Sequence, residues 1–210
     1  VAAIAGRAPW ATFAWTAALS VSYLAVLLSA PLVGAWADAH AAKKRLLLFA
    51  TVGCVLFTAA LVFAGPGAVA LAVVLIVLSN FFFATGENLI AAFLPELADA
   101  KAMGRVSGWG WAFGYLGGLV SLGLSLVYIT WAQGAGQSAT QFVPVVMLIT
   151  AAVFALCATP TFLFLRERAV PQARDGKAWS RVLHTLRHAR QYRDLRRFLV
   201  CILFYQAGIM

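Results

Sequence analysis

Five stretches of this chain, each roughly twenty residues or longer, carry almost no charge. They run from Trp10 to Trp36, Leu46 to Ala64, Ala68 to about Pro95, Val106 to Thr130, and Phe142 to Leu165. A sixth apolar run begins near Phe198 and reaches the last residue, Met210. A helix needs about 20 mostly apolar residues to cross a bilayer. Helices buried in a soluble core would still need polar faces for water, and these have none. Composition agrees: 63% of residues are hydrophobic and 11% charged, against about 45–50% and 25% in ordinary globular domains. The expected fold is all-α, a polytopic membrane helix bundle with the lipid bilayer as its solvent.

The net charge of +9 would suit a nucleic-acid binder, but the placement of the charges excludes that class. Fifteen of the 16 Lys and Arg residues fall in three connections, 37–45, 96–105 and 166–197. The other connections, Ala64-Gly65-Pro66-Gly67 and the stretch from Trp131 to Gln141, carry no charge. By the positive-inside rule the three basic connections are cytoplasmic and the first run passes from outside to inside. Arg7 is the one dissenting charge. The expected location is a plasma membrane of the bacterial inner-membrane type. Trp10, Tyr128 and Trp131 fall near the outer interface, where amphipathic rings settle.

Between Arg166 and Arg197, Trp179, Val182, Leu183, Leu186 and Ala189 recur at helical spacing, with Arg181, Arg187 and Arg190 off that stripe. This predicts an amphipathic helix on the inner surface, or an equivalent solvated linker helix. His184 and His188 are four apart, but no third ligand stands near and no metal is expected. Cys54, Cys157 and Cys201 all sit in apolar runs and read as small hydrophobes. No cofactor motif and no clustered nucleophile set appears, so the chain is not expected to be an enzyme.

Three stretches can carry function. The first is FFFATGENLIAAFLP, where Glu87 lies eight residues before Pro95, about 12 Å from that end at about 1.5 Å per residue. Asn80, Ala84, Glu87, Asn88 and Ala91 share one helical face. An acid at that depth faces a cavity or a partner, and a carboxyl group held there suits proton exchange. The bland alternative is a structural hydrogen bond to a neighbouring helix.

The second stretch is PLVGAWADAHAAKKR. Gly34 permits close approach, and Asp38 stands before Lys43, Lys44 and Arg45. Ion pairs here could hold one arrangement of helices, as a gate does; alternatively the cluster is only a topology signal.

The third is SGWGWAFGYLGG, residues 107–118, with five glycines in twelve positions. Each costs about 0.8–1 kcal/mol against alanine in a soluble helix. In lipid, helices associate through small residues that let backbones approach. Gly110, Gly114, Gly117 and Gly118 share a face, and Gly108 extends the spacing from Gly104. A packing face, static or sliding, is expected. Elsewhere, Glu96 and Asp99 beside Lys101 and Arg105 read as a solvated loop.

Gly34-Ala-Trp-Ala-Asp38 followed by Lys43-Lys44 resembles the loop signature of the major facilitator superfamily, G-x-x-x-D-R/K-x-G-R/K-R/K. Ala39, Ala41 and Ala42 depart from it. Phe93-Leu94-Pro95-Glu96-Leu97-Ala98, Gly104-Arg105-Val106-Ser107-Gly108 and Gly114-Tyr115-Leu116-Gly117-Gly118 resemble its vacuolar amino-acid effluxer-like branch. Phe204-Tyr205-Gln206-Ala207-Gly208 resembles the start of that branch's seventh helix. The resemblance implies that the five runs are helices two to six of an N-terminal bundle. Residues 1–165 would be that bundle without its first helix, 166–197 the linker between bundles, and 198–210 the start of the second. It also implies a secondary transporter of a small-molecule substrate, with amino acids and protons as candidate cargo and coupling ion, working by alternating access. Asp38 would then face a helix N-terminus of the other bundle, and Asn80, Glu87 and Asn88 would line the cavity. The alternative is a non-transporting membrane scaffold or sensor with the same fold.

Overall fold

The structure, a computed structural model, describes residues 10–168 and, beyond them, positions 179, 192, 194, 197, 198, 200–202 and 204. The amphipathic stripe after Trp179, the His184 and His188 pair, and most of the closing apolar run lie outside the described residues.

Five long helices follow one another: α1 Ala11–His40, α2 Lys43–Ala60, α3 Val69–Leu97, α4 Met103–Gly134 and α5 Ala139–Phe164. All five are long and apolar enough to cross a membrane, α2 together with the short 3-10 turn Leu61–Phe63 that extends it. They alternate in direction, so the first two basic connections and Arg166 and Arg168, where the third begins, lie at one end of the bundle and the uncharged connections at the other. We call these the charged and uncharged ends.

The helices run past the apolar stretches that announced them. α1 continues through Asp38 to His40, and α2 begins at Lys43 rather than Leu46. The supposed loop 37–45 is therefore mostly helix, broken only at Ala41 and Ala42. Hydropathy marks where lipid stops, whereas backbone hydrogen bonding continues until a cap or turn ends it. Ala41 makes that turn with φ 45° and ψ 51°. This left-handed region penalises a side chain bearing Cβ, and Ala41 stands where the major facilitator pattern has glycine. At the uncharged end, Ser138 and Gln141 form a capping box that starts α5 three residues before the expected Phe142.

α3 is the central element, with its largest interfaces against α2 and α1. Its best-packed cluster joins Ala37 of α1, Leu47 and Ala50 of α2, and Leu89 and Phe93 of α3. On α2, Phe49, Gly53 and Phe57 recur every fourth residue. The ring of Phe82 from α3 sits over Gly53, edge-on to Phe49 and stacked on Phe57, with both centroid distances 5.5 Å. A Cβ at Gly53 would lie 2.7 Å from Phe82 Cγ, so only glycine admits this approach.

α4 packs chiefly on α5. At Gly108, Gly110, Gly114, Gly117 and Gly118 no neighbouring heavy atom lies within 4 Å of where a Cβ would stand. The close packing expected of this face is made by no described residue. The same holds for Gly34, where a close approach was expected.

Candidate functional site at the charged end of the bundle

Lys43 is the first residue of α2 and the hub of the charged end. Its ammonium group donates to Glu96 Oε1 of α3 at 2.8 Å and lies 3.6 Å from Asp38 Oδ1 of α1. The Lys43 and Glu96 side chains are only 13% and 15% exposed, against 42% for Asp38. One cation thus ties together the ends of three helices. Glu96, read from sequence as part of a solvated loop, is instead a part-buried partner of a lysine 53 positions earlier. The helix ladder accounts for this: α3 persists through Pro95 to Leu97, which keeps Glu96 beside the start of α2.

The N-terminus of α2 is capped from a distant part of the chain. Ala42 supplies no side-chain cap. The Glu167 carboxylate, just beyond α5, accepts from the backbone N–H of Lys43 at 2.6 Å and of Lys44 at 3.2 Å. An acceptor with negative charge is favoured there by the unpaired N–H groups and the helix dipole. Lys44 Nζ donates to the Leu165 carbonyl at 2.6 Å, and the Arg168 N–H donates to Glu96 Oε2 at 3.0 Å. The segment after α5 is thereby fastened to α2 and α3. Arg45 is exposed. Sequence reasoning missed Glu167, although it is the first acid to follow the fifth apolar run.

The polar face of α3 divides. Asn80 Nδ2 donates to Ser22 Oγ of α1 at 3.0 Å, and Ser22 is fully buried. Asn80 therefore makes an interhelical hydrogen bond, the kind of contact weighed from sequence as the bland alternative for Glu87. Asn88 lines a small cavity of about 150 Å³ together with Gly34 and Asp38 of α1, Lys43 of α2, and Thr85 of α3. Glu87 is exposed and makes no hydrogen bond or ion pair among the described residues. The structure thus joins Asn88 to the Asp38–Lys43 cluster, while Glu87 faces outward from the described helices. Among the described residues no group of three metal-binding side chains occurs.

The amino-acid sequence that builds this end of the bundle matches a known family. The family model for vacuole effluxer Atg22-like proteins aligns with residues 10–210. The chain belongs to that family. It is also 28% identical over 200 residues to the uncharacterized MFS-type transporter YxiO of Bacillus subtilis strain 168, covering 93% of this chain and 46% of that protein. The chain thus spans about half the length of this curated relative. No solved structure matches it. Family and helices together make this an integral membrane protein of the major facilitator type, all-α as the sequence required.

Proposed function

We propose that this Atg22-like chain is the N-terminal bundle, with the linker and the start of the second bundle, of a secondary active transporter. It moves a small solute by alternating access, with amino acids as the leading substrate class and protons as the coupling ion. In this reading the charged end is cytoplasmic, because it gathers the basic connections. The observation that carries the proposal is the juxtaposition of Asn88 with Asp38 and Lys43 around one cavity. Two polar side chains of α3, Thr85 and Asn88, stand in an otherwise mostly apolar cavity beside an ion cluster that can hold that end in one state. Glu87, unpartnered within these helices, takes the proton-binding role. The glycine face of α4 packs against the remainder of the protein, where close approach needs no Cβ.

The test uses the full-length protein in proteoliposomes, with a panel of amino acids and an imposed pH gradient. Wild-type protein is expected to show gradient-driven uptake, and Glu87→Gln uptake that no longer responds to the gradient. Unchanged pH dependence in Glu87→Gln removes that residue from coupling. Absence of flux for every solute, with cysteines at 80, 87 and 88 shielded from polar maleimides, favours a scaffold instead.

A further inference from the structure

A second, larger cavity lies at the charged end, away from the Asn88 cavity. It has a volume of about 450 Å³ and lies between the last turns of α3 and α5. One wall is apolar: Ile90 and Leu97, two turns apart on α3, and Phe164 at the end of α5. These side chains are 56%, 50% and 79% exposed. Beyond α5 the lining becomes basic, with Arg166 and Arg168.

The backbone explains how two arginines come to border an apolar groove. Leu165 is extended, at φ −68° and ψ 121°, and its carbonyl is held by Lys44. Glu167 turns inward to cap α2, and the Arg168 N–H is held by Glu96. In extended chain alternate residues point to opposite sides, about 6.6 Å apart along one side. Glu167 is held inward and half-buried, while Arg166 and Arg168 on either side of it are exposed and border the cavity. The two ion pairs formed at this end among the described residues both use Lys43, and neither uses an arginine.

We infer that this groove is a binding site for an anionic glycerophospholipid. The phosphate is clamped between Arg166 and Arg168, and an acyl chain lies along Ile90, Leu97 and Phe164. Charge complementarity selects the headgroup: arginine matches phosphate oxygens with paired N–H donors. Basic recesses between membrane helices favour anionic headgroups in the same way. The apolar wall selects a lipid over a soluble phosphate, because a free anion would gain nothing from it. The site is independent of whether the protein transports anything. It would tie the chain leading out of α5 to the lipid composition of one leaflet.

The experiment is native mass spectrometry of the full-length protein, titrated with phosphatidylglycerol or with phosphatidylcholine of the same chains. Wild-type protein is expected to retain phosphatidylglycerol at least tenfold better. The double variant Arg166→Gln/Arg168→Gln should lose about thirtyfold in affinity for it, from about 1 kcal/mol per basic residue at an anionic surface. Arg166→Lys/Arg168→Lys should keep most of the preference, and Phe164→Ser should weaken binding of both lipids. Equal binding of the two lipids overturns the inference, as does indifference to the arginine variants. Equal competition by glycerol phosphate in wild type and Phe164→Ser assigns the site to a soluble anion and also overturns it. So does a Thr161→Cys variant shielded from maleimide in both lipids, which would mean that another part of the protein fills the groove.

Discussion

Replacing Lys43 with methionine keeps most of the unbranched side chain and removes its charge. At 2.8 Å from Glu96, and with an effective dielectric of about 20, the gross attraction is about 6 kcal/mol. Desolvation of both groups cancels much of that, so the net worth of the pair is far smaller. Removing one partner is different, because the other charge stays behind, mostly buried, without its ion-pair partner. For a mostly buried pair that costs about 3 kcal/mol. Lys43→Met leaves Glu96 and Asp38, two carboxylates that had shared one ammonium group. Glu96→Gln should cost less, about 1–2 kcal/mol, because Asp38 still lies 3.6 Å from the lysine. The double variant leaves only the half-exposed Asp38 uncompensated. Its loss should fall short of the sum of the single losses by about 2 kcal/mol. Steric trapping of the full-length protein in bicelles gives these unfolding free energies directly. Single losses below about 0.5 kcal/mol, or strictly additive ones, would refute the claim that Lys43 holds three helix ends together.

Two further outcomes follow from backbone geometry. Gly53→Ala gains helix propensity of about 0.8–1 kcal/mol yet drives a methyl group against Phe82. Overpacking of about 1–3 kcal/mol should outweigh that gain, and the same unfolding assay should show a less stable protein, with Phe82→Leu restoring part of the loss in the double variant. Ala41→Gly should raise stability by about 1 kcal/mol, because it relieves a left-handed alanine, and a neutral or destabilising result would mean that the strain is not there.

The sequence alone determined the class of fold, the five apolar spans found among the described residues and their alternation. All of these follow from local hydropathy and charge, which report on the medium around each segment rather than on its neighbours. Where the helices stop was less legible, because interfacial turns such as the one at Ala41 are set by backbone geometry and caps.

The site was legible in part. Asn88 was picked out for a cavity and Asp38 and Lys43 for a gating loop, each by type and position; that all three line one cavity was decided by the tertiary structure. Which charge pairs with which was decided only by the tertiary structure. Glu96 reaches Lys43 across 53 positions, and Glu167 caps α2 across 124. No local pattern encodes such contacts, because α3 and α5 return to the same end by paths that depend on how the helices pack. Asn80 took the interhelical role, and Glu87 took none among the described residues, for the same reason. A helical wheel fixes a residue's angle around its own axis but not what stands opposite it.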